Sequence, residues 1–194
     1  MNKRCVALTR EQYERAIELL RNGFILDGHI VKPNNRIATI EVLQATLGLR
    51  ICDILSLRMT SFVKDGNRYR LDVIEKKTSK DRPFTVPMEV YSFIQGYALE
   101  NNIPNTAKLF DISERQVERH LNKVFTKMEL PLRQYGTHSF RKFFGVEVYN
   151  NNGKDIRLVQ FLYQHSSPTV TQVYLSIFDE SVENALAGTS AHLI

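Results

Sequence analysis

The chain has 194 residues, a formal charge of +5 from 26 Lys and Arg against 21 Asp and Glu, and a sequence pI near 9.2, which excludes an acidic solvating tail. Its 43% hydrophobic and 24% charged residues suffice for one well-buried core and argue against disorder of the whole chain. Cys5 and Cys52 show neither CxxC nor Cys/His spacing, against a disulfide framework or a zinc site, and no uninterrupted apolar run approaches the roughly 18 residues of a bilayer span.

Thr9-Arg10-Glu11-Gln12 has capping-box spacing and is followed by Tyr13, Ala16, Ile17, Leu19 and Leu20, which predicts a helix over 10–22. From Arg36, the residues Ile37, Ile40, Val42, Leu43, Ala45 and Leu47 predict a second helix that breaks at Gly48. Ile51, Ile54, Leu55 and Leu57 resume the period, so two helices are expected to meet at a glycine turn bearing Arg50. Ser61 to Val63, the turn Asp65-Gly66, the run Tyr69 to Ile74, the polar loop Lys76 to Arg82 and Phe84 to Val86 predict a small three-stranded antiparallel sheet. Lys76, Lys77 and Lys80 fall at the tip of its second hairpin. Helix returns from Met88 to about 101, then over 113–128 capped by Ser113, 138–150 capped by Thr137, 155–163, 168–177 with Pro168 at its first position, and 179–187. No repeat, low-complexity tract or linker divides the chain, so the expected fold class is α+β, a single, mostly helical domain over 1–194. A soluble, cytoplasmic protein in a reducing compartment is expected, with no membrane partner.

The charge is unevenly spread. Residues 50–82 hold nine Lys or Arg against five acids and 113–142 hold seven against three, whereas 143–194 hold two against five. A polyanion would meet the first two segments if the fold brings them to one face; solvated helix faces would give the same counts.

Thr137-His138-Ser139-Phe140-Arg141 places an imidazole and a guanidinium three apart at a helix start, on one face beside free backbone N–H groups, a suitable seat for a phosphate. The spacing alone is common on helices. Arg50 at the glycine turn, Lys77 on a hairpin tip, His165 just before a helix and Tyr174 nine residues later extend it to an ordered set. Singly, each has a structural use: Arg50 can pair with Asp53, His165 can bond a loop carbonyl and Tyr174 can pack against neighbouring valines.

GLRICDILSLR (48–58), KKTSKDRPFTVP (76–87), GTHSFRKFFG (136–145) and QFLYQHSSPTVTQVYL (160–175) together resemble the catalytic domain of the tyrosine recombinases, the phage integrase family, over about residues 8–180. The resemblance implies that Arg50, Lys77, His138, Arg141 and His165 are catalytic and that Tyr174 is the nucleophile. Two arginines supply permanently charged forks for the non-bridging oxygens of a phosphodiester. Lys77 would be the general acid toward the leaving 5′-hydroxyl, with Lys80 a rival in the same loop, and His138 would assist proton transfer. A phosphotyrosine conserves the phosphodiester, so neither cofactor nor metal is expected. Lys80, Arg82, Arg115, Arg119 and Lys142 would contact DNA. The implied partners are double-stranded DNA and, on paired sites, a homotetramer with 179–194 as a protomer-exchanging tail, leaving room for a directionality factor.

The sequence departs from the family pattern where a glycine is expected before His165 and Gln164 stands. The chain also starts where a catalytic domain would start, without the family's N-terminal core-binding domain, as an excised domain or a short invertase-type member would. A different class of function is carried by Thr106 to Leu121, whose Ala107, Ile112-Ser113, Val117 and Leu121 have the rhythm of a helix-turn-helix with Arg115, Gln116 and Arg119 toward a groove, as in a non-catalytic transcription regulator.

Overall fold

The first helix, α1 (Arg10–Asn22), is held by the expected capping box: Thr9 accepts from the Gln12 N–H while the Gln12 side chain accepts from the Thr9 N–H. Its Ala16, Ile17, Leu19 and Leu20 are buried, as the period requires. This computed structural model describes residues 5–72 and 85–175. The chain divides into two compact units, residues 1–144 and 145–194.

In the first unit, α1 leads into an antiparallel hairpin, β1 (Phe24–Leu26) and β2 (His29–Val31), which the sequence reading did not anticipate. Its turn is Asp27-Gly28, both at positive φ, the combination that matches the twist of a two-residue hairpin loop. The turn signal was present, but three-residue strands are too short to show a period of two. Next, α2 (Asn35–Leu47) is capped by the Asn34 side chain at one end and ends at Gly48 in the left-handed conformation. The expected helix after the turn is only one turn long, α3 (Ile51–Ile54). Ser56 there donates back to the Asp53 carbonyl at 2.7 Å, a local bond that competes with helix propagation.

The sheet has the expected order, with β3 (Phe62–Asp65) and β5 (Thr85–Val86) flanking β4 (Arg68–Leu71), all antiparallel. The second hairpin's loop, with Lys77, Lys80 and Arg82, lies outside the described residues, as does the expected 179–187 helix. Then come α4 (Met88–Glu100) and α5 (Glu114–Lys127), the latter with a second capping box between Ser113 and Gln116. One continuous core joins α1, α2, the sheet, α4, α5 and the start of α6 (Thr137–Asn151) through Leu20, Ile40, Leu43, Phe110, Phe125 and Phe140.

The helix-turn-helix expectation is corrected here. Such a motif needs two helices joined by a 3–4-residue turn, but residues 101–113 form no helix between α4 and α5. That segment is pinned as irregular chain: Leu109 N–H donates to the Leu57 carbonyl at 2.8 Å, Arg36 Nη1 to the Asp111 carbonyl at 2.7 Å, and Arg58 Nη1 to the Thr106 carbonyl. The rhythm came from one capped amphipathic helix, α5, whose Val117, Leu121, Val124 and Phe125 face the core.

The second unit holds the last part of α6, then α7 (Ile156–Tyr163) and α8 (Pro168–Leu175). Asp155 caps α7 by accepting from the Arg157 and Leu158 N–H groups. No helix among the described residues is long and apolar enough to cross a membrane.

Candidate active site

Gly48 has φ +59, and a Cβ at this position would lie 2.3 Å from the Phe144 ring, so only glycine fits the turn. Two residues on, half-buried Arg50 sits at the N-cap of α3. Arg141, one turn into α6 and only 2% exposed, donates from Nη1 to the Gly48 carbonyl. The guanidinium of one arginine is thereby fixed to the turn that carries the other.

The start of α6 is braced from several directions. Ser139 Oγ accepts from the Gly136 N–H at 3.2 Å and lies 3.1 Å from Cys5 Sγ. Tyr13 stacks on Phe143 with centroids 4.6 Å apart and meets Phe140 edge-on. Thr137, Ser139, Phe140, Arg141, Lys142 and Phe143 are all buried, leaving His138 exposed. Lys142 therefore departs from its expected place among DNA contacts: at 5% exposure it belongs to the buried girth of α6.

In the second unit, three rings form a triangle. Tyr163, His165 and Tyr174 have centroids 5.1–5.3 Å apart, and Tyr174 stands edge-on to both of the others. His165 is further fixed by its Nδ1, 3.0 Å from the buried Thr171 hydroxyl, and by bonds in both directions with Gln160. Tyr163 is fully buried because Gly145 makes room for it: a Cβ there would lie 2.3 Å from the Tyr163 hydroxyl. The sequence reading did not single out Tyr163 or Gly145, whose only signals were an aromatic residue two before His165 and a glycine inside a helix.

The sequence model of the phage integrase family matches residues 7–181. This chain belongs to the phage integrase family. It is a tyrosine recombinase catalytic domain in fold. Among similar proteins, the probable integrase/recombinase YoeC of Bacillus subtilis is 29% identical over 163 residues, 81% of this chain and 86% of that protein. The tyrosine recombinase XerC of Leptospira interrogans is 30% identical over 165 residues, 80% of this chain and 50% of that protein. A crystal structure of the XerH site-specific recombinase bound to difH substrate in a pre-cleavage complex superposes with a TM-score of 0.67 at 17% identity, over 89% of this chain and 51% of that one. The chain thus spans nearly all of one such relative and about half of the other two.

For this tyrosine recombinase domain, Gln164 is a substitution the backbone absorbs. It caps α7 at φ 54 and ψ 35, the left-handed conformation that glycine adopts most readily, so the turn into His165 survives the change of residue. Arg115 and Arg119 are exposed one turn apart on α5. Among the described residues, no three His, Cys, Asp or Glu side chains gather into a group that could hold a metal ion.

Proposed function

We propose that the chain cuts and rejoins DNA at specific sites, with Tyr174 as nucleophile and Arg50 and Arg141 as the clamp on the scissile phosphate. The observation that carries this reading is the Arg141 guanidinium held against the Gly48 turn two residues from Arg50, since two neighbouring cations would stabilise charge that grows on the non-bridging oxygens in the transition state.

In the first step the Tyr174 Oη–P bond forms and the bond to the 5′-oxygen breaks. The phenolic proton passes toward His138, and Lys77 or, as its rival, Lys80 protonates the leaving 5′-hydroxyl. His165 donates a hydrogen bond to a phosphate oxygen. In the second step another 5′-hydroxyl attacks phosphorus and the tyrosine recovers its proton, so the phosphodiester is conserved and no nucleotide is consumed. Arg82, Arg115 and Arg119 would hold the flanking backbone. XerH bound to its difH substrate supports duplex DNA as the partner. A cytoplasmic location, a tetramer on paired sites, the 179–194 tail as its link between protomers and a directionality factor complete the reading.

The test is covalent trapping on a nicked suicide duplex in which the released fragment diffuses away. The chain should form a protein–DNA adduct that resists denaturation, in EDTA and without nucleotide. No adduct, or an adduct lost on chelation, would overturn the reading.

A further inference from the structure

A buried polar pair on α2 has no place in the mechanism above. Glu41 and Gln44 lie three apart on the helix that ends at Gly48, and both are fully buried. Burial pushes the Glu41 carboxyl well above the usual carboxylate range, which favours the neutral acid. Its Oε1 makes no hydrogen bond to any described group.

The Gln44 amide has two orientations. In one, Nε2 is 3.3 Å from the Leu49 carbonyl while Oε1 faces two other oxygens. In the other, Nε2 donates to the Thr137 carbonyl at 2.8 Å and to Glu41 Oε2 at 2.9 Å. The second exchanges the longer bond to Leu49 for two shorter ones and relieves the close approach of Gln44 Oε1 to the Thr137 carbonyl, so it is the favoured orientation. Thr137 is the first residue of α6, next to His138 and one turn before Arg141. Gln44 therefore joins the end of α2, which leads into the Gly48 turn and Arg50, to the start of the helix that carries the other clamp arginine.

We propose that Gln44, oriented by its contact with the buried Glu41 carboxyl, is a positioning residue for the arginine clamp. This rests on Arg50 and Arg141 being that clamp. Charge-stabilising donors work only when held within about 0.5 Å of their productive place, and the Gln44 amide sets the register of α6 against the turn in addition to the bond from Arg141 to the Gly48 carbonyl. A neutral carboxyl accepts the amide N–H as a carboxamide oxygen does, so charge at position 41 is not what matters.

The experiment compares the full chain with Gln44→Leu and Glu41→Gln in three measurements: adduct formation on the suicide duplex, duplex affinity, and hydrogen exchange over 137–142 with 114–127 as the folding control. Gln44→Leu should slow adduct formation about 30-fold at unchanged duplex affinity, and exchange over 137–142 should accelerate while 114–127 stays protected. Glu41→Gln, the conservative variant, should keep the adduct rate within about two-fold from pH 6 to 8.5. A wild-type adduct rate and wild-type exchange in folded Gln44→Leu would overturn the proposal, as would an equal loss in Glu41→Gln. If the unsubstituted chain forms no adduct, the recombinase reading fails by itself and the exchange comparison alone decides whether Gln44 holds α6. If Gln44→Leu does not fold, Glu41→Leu decides: a partial loss of rate with faster exchange over 137–142 supports the proposal, and no change overturns it.

Discussion

Arg141, in residues 1–144, and Tyr174, in residues 145–175, show different kinds of contact among the described ones. Arg141 is bonded to a backbone carbonyl inside a large core, and the turn it meets has a glycine conformation closed off by the Phe144 ring. Tyr174 is half-buried and held edge-on by Tyr163 and His165, with Thr171 and Gln160 fixing the histidine. Directional bonds to buried backbone fix a group's position and orientation, whereas edge-on ring contacts, of similar net worth at about 0.5–1.5 kcal/mol per pair, constrain direction less sharply. A group that stabilises charge needs the first kind of support; a nucleophile that must approach phosphorus and later leave it is served by the second.

The comparison is broken most directly at the bonds themselves. Arg141→Ala should lower the single-turnover cleavage rate by about 10³-fold, because it removes the clamp charge and the bond to the Gly48 carbonyl. Thr171→Val, which removes the partner of His165 Nδ1, should cost about ten-fold. Equal losses in the two variants would erase the distinction between the two kinds of support.

The two glycines give the next test, by chemical denaturation. Gly48→Ala meets both a left-handed backbone and the Phe144 ring and should destabilise by about 3 kcal/mol. Gly145→Ala has no backbone penalty but presses on the Tyr163 hydroxyl and Leu175, and should cost about 1–2 kcal/mol. A larger loss for Gly145→Ala would place the tighter packing in the wrong unit.

The hydrophobic period and the caps were the legible part of the fold. Thr9 and Ser113 cap their helices as full capping boxes, as expected, because cap chemistry is local, whereas the side-chain caps at Asn34 and Asp155 were not read from the sequence. Arg50, His138, Arg141, His165 and Tyr174 stand in the sequence as an ordered set; in the structure Arg141 is bonded to the Gly48 turn two residues from Arg50, and His165 and Tyr174 share the ring triangle. What local pattern could not show were contacts across the chain. The β1–β2 hairpin was too short to display its period. The burial of Lys142 depends on how many neighbours surround α6. Gly145 and Tyr163 matter through each other, eighteen residues apart, and Glu41 and Gln44 sat in a stretch whose apolar neighbours made it read as plain core.

Smaller effects sharpen the picture. Gln164→Gly should stabilise by about 1 kcal/mol, because it relieves a left-handed backbone at a residue with a Cβ, and a thermal melt would show the gain. Glu41 retains its proton in the folded chain at pH values where the unfolded chain has lost it, so stability falls as pH rises from about 4.5 toward the raised folded value. Glu41→Gln removes that slope, and its advantage in denaturant midpoint should widen as pH rises through this window. A parallel pH dependence in the two proteins would show that Glu41 is charged when folded.

The central claim is that Tyr174 carries the DNA strand. Mass spectrometry of the protease-digested adduct from the suicide duplex tests it at one atom. The account predicts a nucleotide phosphate on Tyr174 and no adduct at all from Tyr174→Phe, with duplex affinity unchanged. A phosphate on Tyr163 or Tyr149, or an adduct that survives in Tyr174→Phe, would contradict it.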